Sequence, residues 1–310
     1  MIGIDVGGAN LKVVDDNGVH IHYCPLWQGA PLVPLLEQYR GAGETAAVVM
    51  SGELADCFTD KQVGIAFIVD AVRQVFPNAL FYGTDAAFHP GPVPALAAAN
   101  WLAAADWLRE EYPSSVLLDV GSTTADIIPL SPFSALKGLT DLRRLQKGYL
   151  VYTGMLRTPV ATLLSSVRLG GVETPVSTEY FATSADVHLV LGHISEDEYT
   201  CETPDRNDKT AEASLRRLGR VVCADLAEIG NEGAVAIAQA FWDRQRSLVC
   251  GQVRRVVQES GATGVITAGT GAALFAHACG GTDLTQVLGP VTDALPAHAV
   301  REVARRMCGN

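Results

Sequence analysis

Apolar and polar positions along this chain predict a protein led by short strands, each handing over to a turn or a helix. Ile2–Val6 is a short, mostly apolar stretch that breaks at Gly7-Gly8, and the apolar character resumes at Leu11. Residues 1–24 read as two strands with a hairpin turn at Asp15-Asp16-Asn17-Gly18. Residues 45–50 form a third strand, followed at once by Ser51-Gly52-Glu53. Val63, Phe67, Ala71 and Val75 recur at helical spacing and predict a helix over 61–76. A short strand at Leu80–Tyr82 and an alanine-rich helix over 94–111 lead toward Pro113.

The strand-turn-strand pattern restarts over residues 116–130. Residues 139–152 are less regular, and 177–184 read as a polar loop before an apolar strand at 187–191. An acidic, exposed segment (195–209) precedes helices over 211–227 and 232–260. Gly264–Ala268 is a strand, Gly269-Thr270-Gly271 opens another helix, and 301–307 is a short terminal helix. This is α/β layering, repeated once. It divides the chain into residues 1–113 and 114–310, with the last helix free to pack back on the first half.

The only internal repeat is a pair of aspartate-glycine turns. One is Asp5-Val6-Gly7-Gly8; the other is Asp119-Val120-Gly121-Ser122-Thr123-Thr124. Each puts a carboxylate at the end of a buried strand and a tight turn after it. Successive backbone N–H groups in such a turn can converge on phosphate oxygens. The carboxylate can hold a divalent cation, directly or through water. Plain hairpin turns are the alternative, but they seldom need an Asp before Gly at both places. Asp5 and Asp119 are therefore the candidate Mg²⁺ ligands. Gly7, Gly8, Gly121, Ser122, Thr123 and Thr124 are candidate phosphate binders, and alternation puts Asn10 and Lys12 on one face beyond the first turn.

The two turns, together with Ile266-Thr267-Ala268-Gly269-Thr270-Gly271, resemble the actin/Hsp70/sugar-kinase superfamily. That resemblance implies two actin-like, ribonuclease H-like α/β domains closing on a phosphorylated ligand, with Gly269, Thr270 and Gly271 also at phosphate. Residues 118–126 are similar to the hydantoinase/oxoprolinase branch, which shares an Asp-x-Gly-(Gly/Ser)-Thr-(Ser/Thr)-x-Asp pattern.

Further stretches narrow the resemblance. They are Ser51-Gly52-Glu53-Leu54-Ala55-Asp56, residues 150–160, residues 179–187 and Thr203-Pro204-Asp205. They resemble a family encoded with tetrahydromethanopterin-linked one-carbon enzymes, in which methanofuran synthases occur. The resemblance implies a transferase that joins a furanylmethylamine diphosphate to a tyramine- or tyrosine-type phenol, forming an aryl ether and releasing pyrophosphate. It also leaves open an ATP-dependent kinase or a hydantoinase/oxoprolinase-like hydrolase, with ATP or ADP at Gly269–Gly271, and a non-catalytic regulator of one-carbon metabolism.

A phenol attacking a furanylmethyl carbon needs a base. Three carboxylates qualify. Glu53 follows a strand end, where open α/β sheets place function. Asp126 lies on the strand returning from the second turn, where it could instead fix the loop. Asp85 falls roughly where sugar kinases carry a catalytic aspartate, or caps a helix. For substrate contacts the family-like stretches offer Tyr152, Thr153 and Arg157, and Glu179, Thr183 and Asp186. A structural ion pair at Arg157 and a loop-capping network at 179–186 are the competing readings. His20, His22 and Cys24 share one strand face, but without an evident fourth zinc ligand they read as strand-edge decoration.

Composition narrows the partners. The 310 residues carry 23 basic and 34 acidic side chains, a net charge of −11. That argues against nucleic-acid and anionic-membrane surfaces, where basic residues supply most of the affinity. No apolar run approaches the ~20 residues of a membrane span, and no signal peptide is visible. The seven cysteines are scattered without a CxxC, which suits reduced thiols in the cytoplasm. The expected partners are small molecules, and a homo-oligomer is compatible with everything above.

Overall fold

The computed structural model describes residues 1–43 and 45–308. Two sheets dominate it. The first is built from β1 (Ile2–Val6), β2 (Asn10–Val14), β3 (Val19–Tyr23), β4 (Ala46–Met50), β5 (Leu80–Tyr82) and β6 (Phe88–His89), in the order β3-β2-β1-β4-β5-β6. The second uses β7 (Ser115–Val120), β8 (Ala125–Pro129), β9 (Leu150–Val151), β12 (Gly264–Ala268) and β13 (Thr282–Asp283), in the order β13-β12-β7-β8-β9. Between β9 and β12 in the chain, β10 (Ser166–Leu169) and β11 (Val172–Pro175) form a separate hairpin.

Reading the second sheet as β9-β8-β7-β12-β13 superposes its topology on β3-β2-β1-β4-β5. In both, the first three strands are antiparallel neighbours and the last two run parallel to the central one. The parallel crossovers carry helices Lys61–Val75 and Ala272–Cys279. The duplication seen in two short turns is thus a duplication of whole sheets.

Strand alternation sorts the side chains into layers. Ile2, Ile4 and Val6 face outward onto helices Leu32–Glu37 and Lys61–Val75. Val116, Leu118 and Val120 face outward onto the long helix Leu226–Ser260. The opposite faces carry Ala47, Val49, Leu117, Ile128 and Ile266, which pack on helices Asn100–Leu108 and Leu295–Cys308 between the sheets. Gly3 is required there: a Cβ would lie 1.9 Å from the Ala297 carbonyl oxygen. Because side chains alternate, Gly3 and Asp5 share one inner face, and Leu117 and Asp119 share the other.

Several local expectations need correction. Residues 1–24 hold three strands, because the Gly7-Gly8 turn is itself a hairpin. The stretch 139–152 contains helix Asp141–Lys147, capped by Thr140 and Gly148, and then β9. The apolar run 187–191 is helical, within Ser184–Val190, since Thr183 and Asp186 form a capping box. Ala98 at φ 46 separates a 3₁₀ turn at Pro94–Leu96 from helix Asn100–Leu108, so 94–111 is not one helix. The terminal helix starts earlier than 301, at Leu295.

The thiols also differ from expectation. Cys250 and Cys279 form a disulfide with Cα atoms 5.4 Å apart, because the long helix packs beside Ala272–Cys279. Their separation of 29 residues concealed that proximity. No described helix is long and apolar enough to cross a membrane.

Candidate active site

A cavity of about 300 Å³ lies between the sheets, lined by both glycine turns. The turns are built alike. The Gly7 amide donates to the Asn10 carbonyl at 2.9 Å, and the Gly121 amide donates to the Thr124 carbonyl at 2.9 Å. The carbonyls within each turn are held from behind. Cys24 and Leu26 donate to the carbonyls of Ala9 and Gly8; Met155 donates to that of Gly121, and Leu156 and Arg157 to that of Ser122. The amides of Gly8, Ala9, Ser122 and Thr123 make no hydrogen bond among the described residues. With their carbonyls tied back, the turns have donors to offer a ligand, which is the arrangement of an anion-binding nest. Gly154 makes the second support possible, since a Cβ there would come 2.6 Å from the Gly121 carbonyl oxygen and the Thr123 nitrogen.

Asp5 and Asp119 occupy matching places above these turns. Asp5 pairs in register with Lys12, and Asp119 with Asp126. Burial lifts Asp5 to about 6, against the pull of Lys12 and with a push from Asp126. Burial likewise lifts Asp119 to about 7, helped by the charge of Asp126 and opposed by Lys12. The Asp5 Oδ1 is buried without a hydrogen-bond partner. Gly269 presses against the second carboxylate: at φ 78 it is left-handed, and a Cβ would lie 2.4 Å from Asp119 Oδ1.

Other charged groups surround this centre. Asp126 accepts from Arg144, and burial still raises it above the ordinary carboxylate range. Arg144 also donates to Asp141 at 2.8 Å and stacks 4.4 Å over Trp101. Lys12 crosses to the C-terminal segment, where its Nζ donates to the Asp293 carbonyl at 2.6 Å. The Arg157 guanidinium lies 4.7 Å over the Trp27 ring and makes no hydrogen bond or ion pair among the described residues.

The cavity gathers Asp5, Gly7, Gly8, Asn10, Lys12, Asp119, Gly121, Ser122, Thr123, Thr124, Asp126, Tyr152, Arg157, Gly269 and Thr270 from the residues singled out by sequence. The rest lie elsewhere. Glu53 is buried beside Lys61, 3.9 Å from its Nζ, and does not line the cavity. Asp85 is exposed and bonded to His89 at 3.0 Å. Gly271 precedes helix Ala272–Cys279 as its N-cap. Thr153 is buried, taking a hydrogen bond from Gln245 at 2.9 Å. Glu179 is exposed, and Thr183 and Asp186 cap a helix beneath the surface. Asp186 is bonded there to Arg217, Ser214 and Tyr199.

Ser51, Asn100, Asp141, Arg144 and Thr292 also line the cavity and were not anticipated. Ser51 carried a signal, as the first residue after β4. The others reach the site only through tertiary packing. Among the described residues no group of three or more His, Cys, Asp or Glu side chains forms a ready-made metal cluster.

The hydantoinase/oxoprolinase family model matches residues 44–300. The chain is 35% identical over 283 residues to the (4-{4-[2-(gamma-L-glutamylamino)ethyl]phenoxymethyl}furan-2-yl)methanamine synthase of Methanocaldococcus jannaschii, covering 87% of this chain and 86% of that one. It is 37% identical over 156 residues to a synthase of the same name from Methanococcus vannielii, covering 50% of this chain and 70% of that one. Among solved structures, the activator of 2-hydroxyisocaproyl-CoA dehydratase from Clostridium difficile, with bound ADPNP, aligns at TM-score 0.43 and 12% identity over 100% of this chain and 97% of the other. Nucleotide-free acetone carboxylase aligns at TM-score 0.45 and 10% identity over 94% and 51%.

Proposed function

This chain belongs to the hydantoinase/oxoprolinase family, and we propose that it is a cytoplasmic transferase of methanofuran-type cofactor biosynthesis, serving tetrahydromethanopterin-linked one-carbon metabolism. It condenses a furanylmethylamine diphosphate with a tyramine- or tyrosine-type phenol. The observation that carries the proposal is the pair of matched turns with unengaged amides on one cavity, in a chain 35% identical to a synthase of that aryl ether. Halves 1–113 and 114–310 would close on the diphosphate from opposite sides.

In this reaction the bond between the furanylmethyl carbon and the diphosphate oxygen breaks, and the pair of electrons leaves with pyrophosphate. The phenol oxygen forms the new carbon–oxygen bond and surrenders its proton to a carboxylate. The amides of Gly8, Ala9, Ser122 and Thr123 hold the diphosphate oxygens, with Lys12 adding positive charge. Asp126 is the base among the three sequence candidates that lines the cavity. Its pairing with Arg144 fixes its orientation, and burial keeps it a better proton acceptor than an ordinary carboxylate.

Mg²⁺ suits the residues present. Asp5 offers a buried oxygen with no protein partner, and Asp119 a second carboxylate. A set of one or two carboxylates completed by phosphate oxygens and water is the kind Mg²⁺ takes, and it requires no preformed protein cluster. Bound there, the ion would offset charge developing on the leaving diphosphate.

The test is direct. Purified protein, Mg²⁺, a furanylmethylamine diphosphate and candidate phenols are incubated, then assayed for pyrophosphate and for the coupled ether by mass spectrometry. Formation of both is expected. Gly269 and Thr270 on the cavity wall keep a nucleotide in view, so ATP turnover without pyrophosphate release from the furan diphosphate would refute the proposal.

A further inference from the structure

A second cavity of about 170 Å³ adjoins the first and shares Ala9, Asn10, Ser122 and Arg157 with it. Its remaining wall has a different character. Tyr23 comes from the end of β3, Trp27 from the turn that supports the first glycine loop, and Tyr180 from the loop before helix Ser184–Val190. Three aromatic rings from three separate segments bound a space opening onto the diphosphate cavity. Gln28, Leu156, Thr200, Cys201 and Glu202 complete it.

The charges are distributed unevenly. Arg157 belongs to both cavities, whereas Glu202 belongs only to the smaller one. Neither side chain has a hydrogen bond or ion pair among the described residues. Tyr23 and Tyr180 flank both: burial raises their phenols, and the charges of Glu202 and Arg157 act on each in opposite directions. A cationic side chain on the shared wall, stacked on Trp27 but without an anionic partner, and an anionic one without a cationic partner in the smaller cavity describe a polar axis. A ligand that fits has an aromatic body, an electron-rich oxygen toward Arg157 and a cationic end toward Glu202.

The loops that supply this wall are anchored from below. Cys201 donates to the Leu156 carbonyl at 3.7 Å, tying the Thr200–Cys201–Glu202 segment to the residues behind the second glycine turn. Tyr199 donates to Asp186 at 3.1 Å and the Thr183 amide donates to the same carboxylate, so it steadies the segment that follows Tyr180 and the one that precedes Glu202.

We propose that this smaller cavity is the acceptor subsite, holding a phenol whose tail ends in an ammonium group, with Tyr23, Trp27 and Tyr180 around the ring and Glu202 reading the amine. The assignment rests on the transferase reading above. It extends it by fixing where the acceptor enters and which charge its tail carries. The shared wall then brings the phenol oxygen next to the carbon that loses diphosphate, so the two substrates meet without crossing the phosphate loops.

Three phenols that differ only at the tail test it: tyramine, 4-methylphenol and 3-(4-hydroxyphenyl)propionate. The full-length protein should favour tyramine in KM over the neutral phenol, and the neutral phenol over the anionic one. E202Q should raise the KM for tyramine about fivefold, leave that for 4-methylphenol unchanged, and leave the KM for the furan diphosphate unchanged. E202K should favour the propionate over tyramine. Turnover of tyramine with unaltered KM in E202Q and Tyr180→Ala would overturn the subsite while leaving the transferase reading intact.

Calorimetric binding of the three phenols, without the diphosphate, separates the two ideas. Glu202-dependent binding of tyramine in a protein that releases no pyrophosphate upholds the subsite and overturns the reaction.

Discussion

Replacing Arg217 with methionine tests how the frame around the acceptor cavity is held. Arg217 lies on helix Ala211–Arg220 and is fully buried. Its Nε donates to Asp186 at 2.7 Å, its Nη1 to Asp205 and to the Asp208 carbonyl at 3.1 Å each, and its Nη2 to Ser214 at 3.2 Å. Asp186 is equally buried and also accepts from Tyr199, Ser214 and the Thr183 amide. Methionine fills similar space but removes the cation, leaving a carboxylate inside the protein with neutral donors alone. Breaking one side of such a pair costs about 3–5 kcal/mol, whereas replacing both partners costs much less. Urea denaturation should therefore show R217M destabilised by about 3–5 kcal/mol, with D186N/R217M recovering about half or more. A loss under about 1 kcal/mol for R217M, or no recovery in the double variant, would mean that the pair does not anchor these loops.

Further outcomes follow from the same geometry. Gly3→Ala should lower stability by about 1–3 kcal/mol, read as a drop in Tm, because the added methyl meets the Ala297 carbonyl 1.9 Å away; an unchanged Tm would show that the inner helix can give way. Burial lowers His188 to about 3 from its ordinary 6.5. The unfolded chain thus binds the extra proton first, so the contribution of neutral His188 is complete above pH 6.5 and is lost as pH falls toward 3, at up to about 1.4 kcal/mol per pH unit. His188→Asn should flatten that part of the stability profile relative to the parent protein, and identical slopes would contradict it. Asp119→Asn should reduce kcat about a hundredfold or more while retaining the fold by circular dichroism; near-normal turnover would remove Asp119 from the site. Chelation by EDTA should abolish pyrophosphate release and added Mg²⁺ restore it, whereas full activity in EDTA would exclude the metal role of Asp5 and Asp119.

Strand β4 was legible because its uninterrupted apolar run is buried on both faces. The two turns were legible because an aspartate before glycine at a strand end is chemically unusual. What escaped was set by caps and contacts. The run 187–191 is apolar in either strand or helix; only the Thr183-x-x-Asp186 spacing distinguishes them, and the polar residues there suggested a binding cluster instead. Helix Asp141–Lys147 was similarly marked by Thr140 and Gly148 at its ends. Arg144 reaches Asp126 through the packing of that helix beside β9, and Asn100 reaches the cavity from the layer between the sheets. No local pattern encodes such approaches. Glu53 illustrates the reverse: it follows a strand end, but the chain turns it inward toward Lys61, while Ser51 two residues earlier meets the cavity.

The duplicated sheets sharpen the chemistry most where they differ. Strand register sets Lys12 opposite Asp5 and Asp126 opposite Asp119, so the two residues occupy equivalent positions in the two halves. A symmetric clamp would carry the same charge at both. Here one is a cation tied to the Asp293 carbonyl, and the other a carboxylate restrained by Arg144. The first half then presents amides and positive charge, while the second presents amides beside a half-buried carboxylate; under the proposed reaction the first would retain the diphosphate and the second would take the phenol proton. Exchanging only one member tests whether this asymmetry matters. Lys12→Met should chiefly raise the KM for the diphosphate, since a charge that binds ground and transition states alike acts on KM. Asp126→Asn should chiefly lower kcat, because a base acts only as the phenol loses its proton. If both substitutions changed the same parameter to the same degree, the halves would be sharing one role, and the division of labour argued from their register would fail.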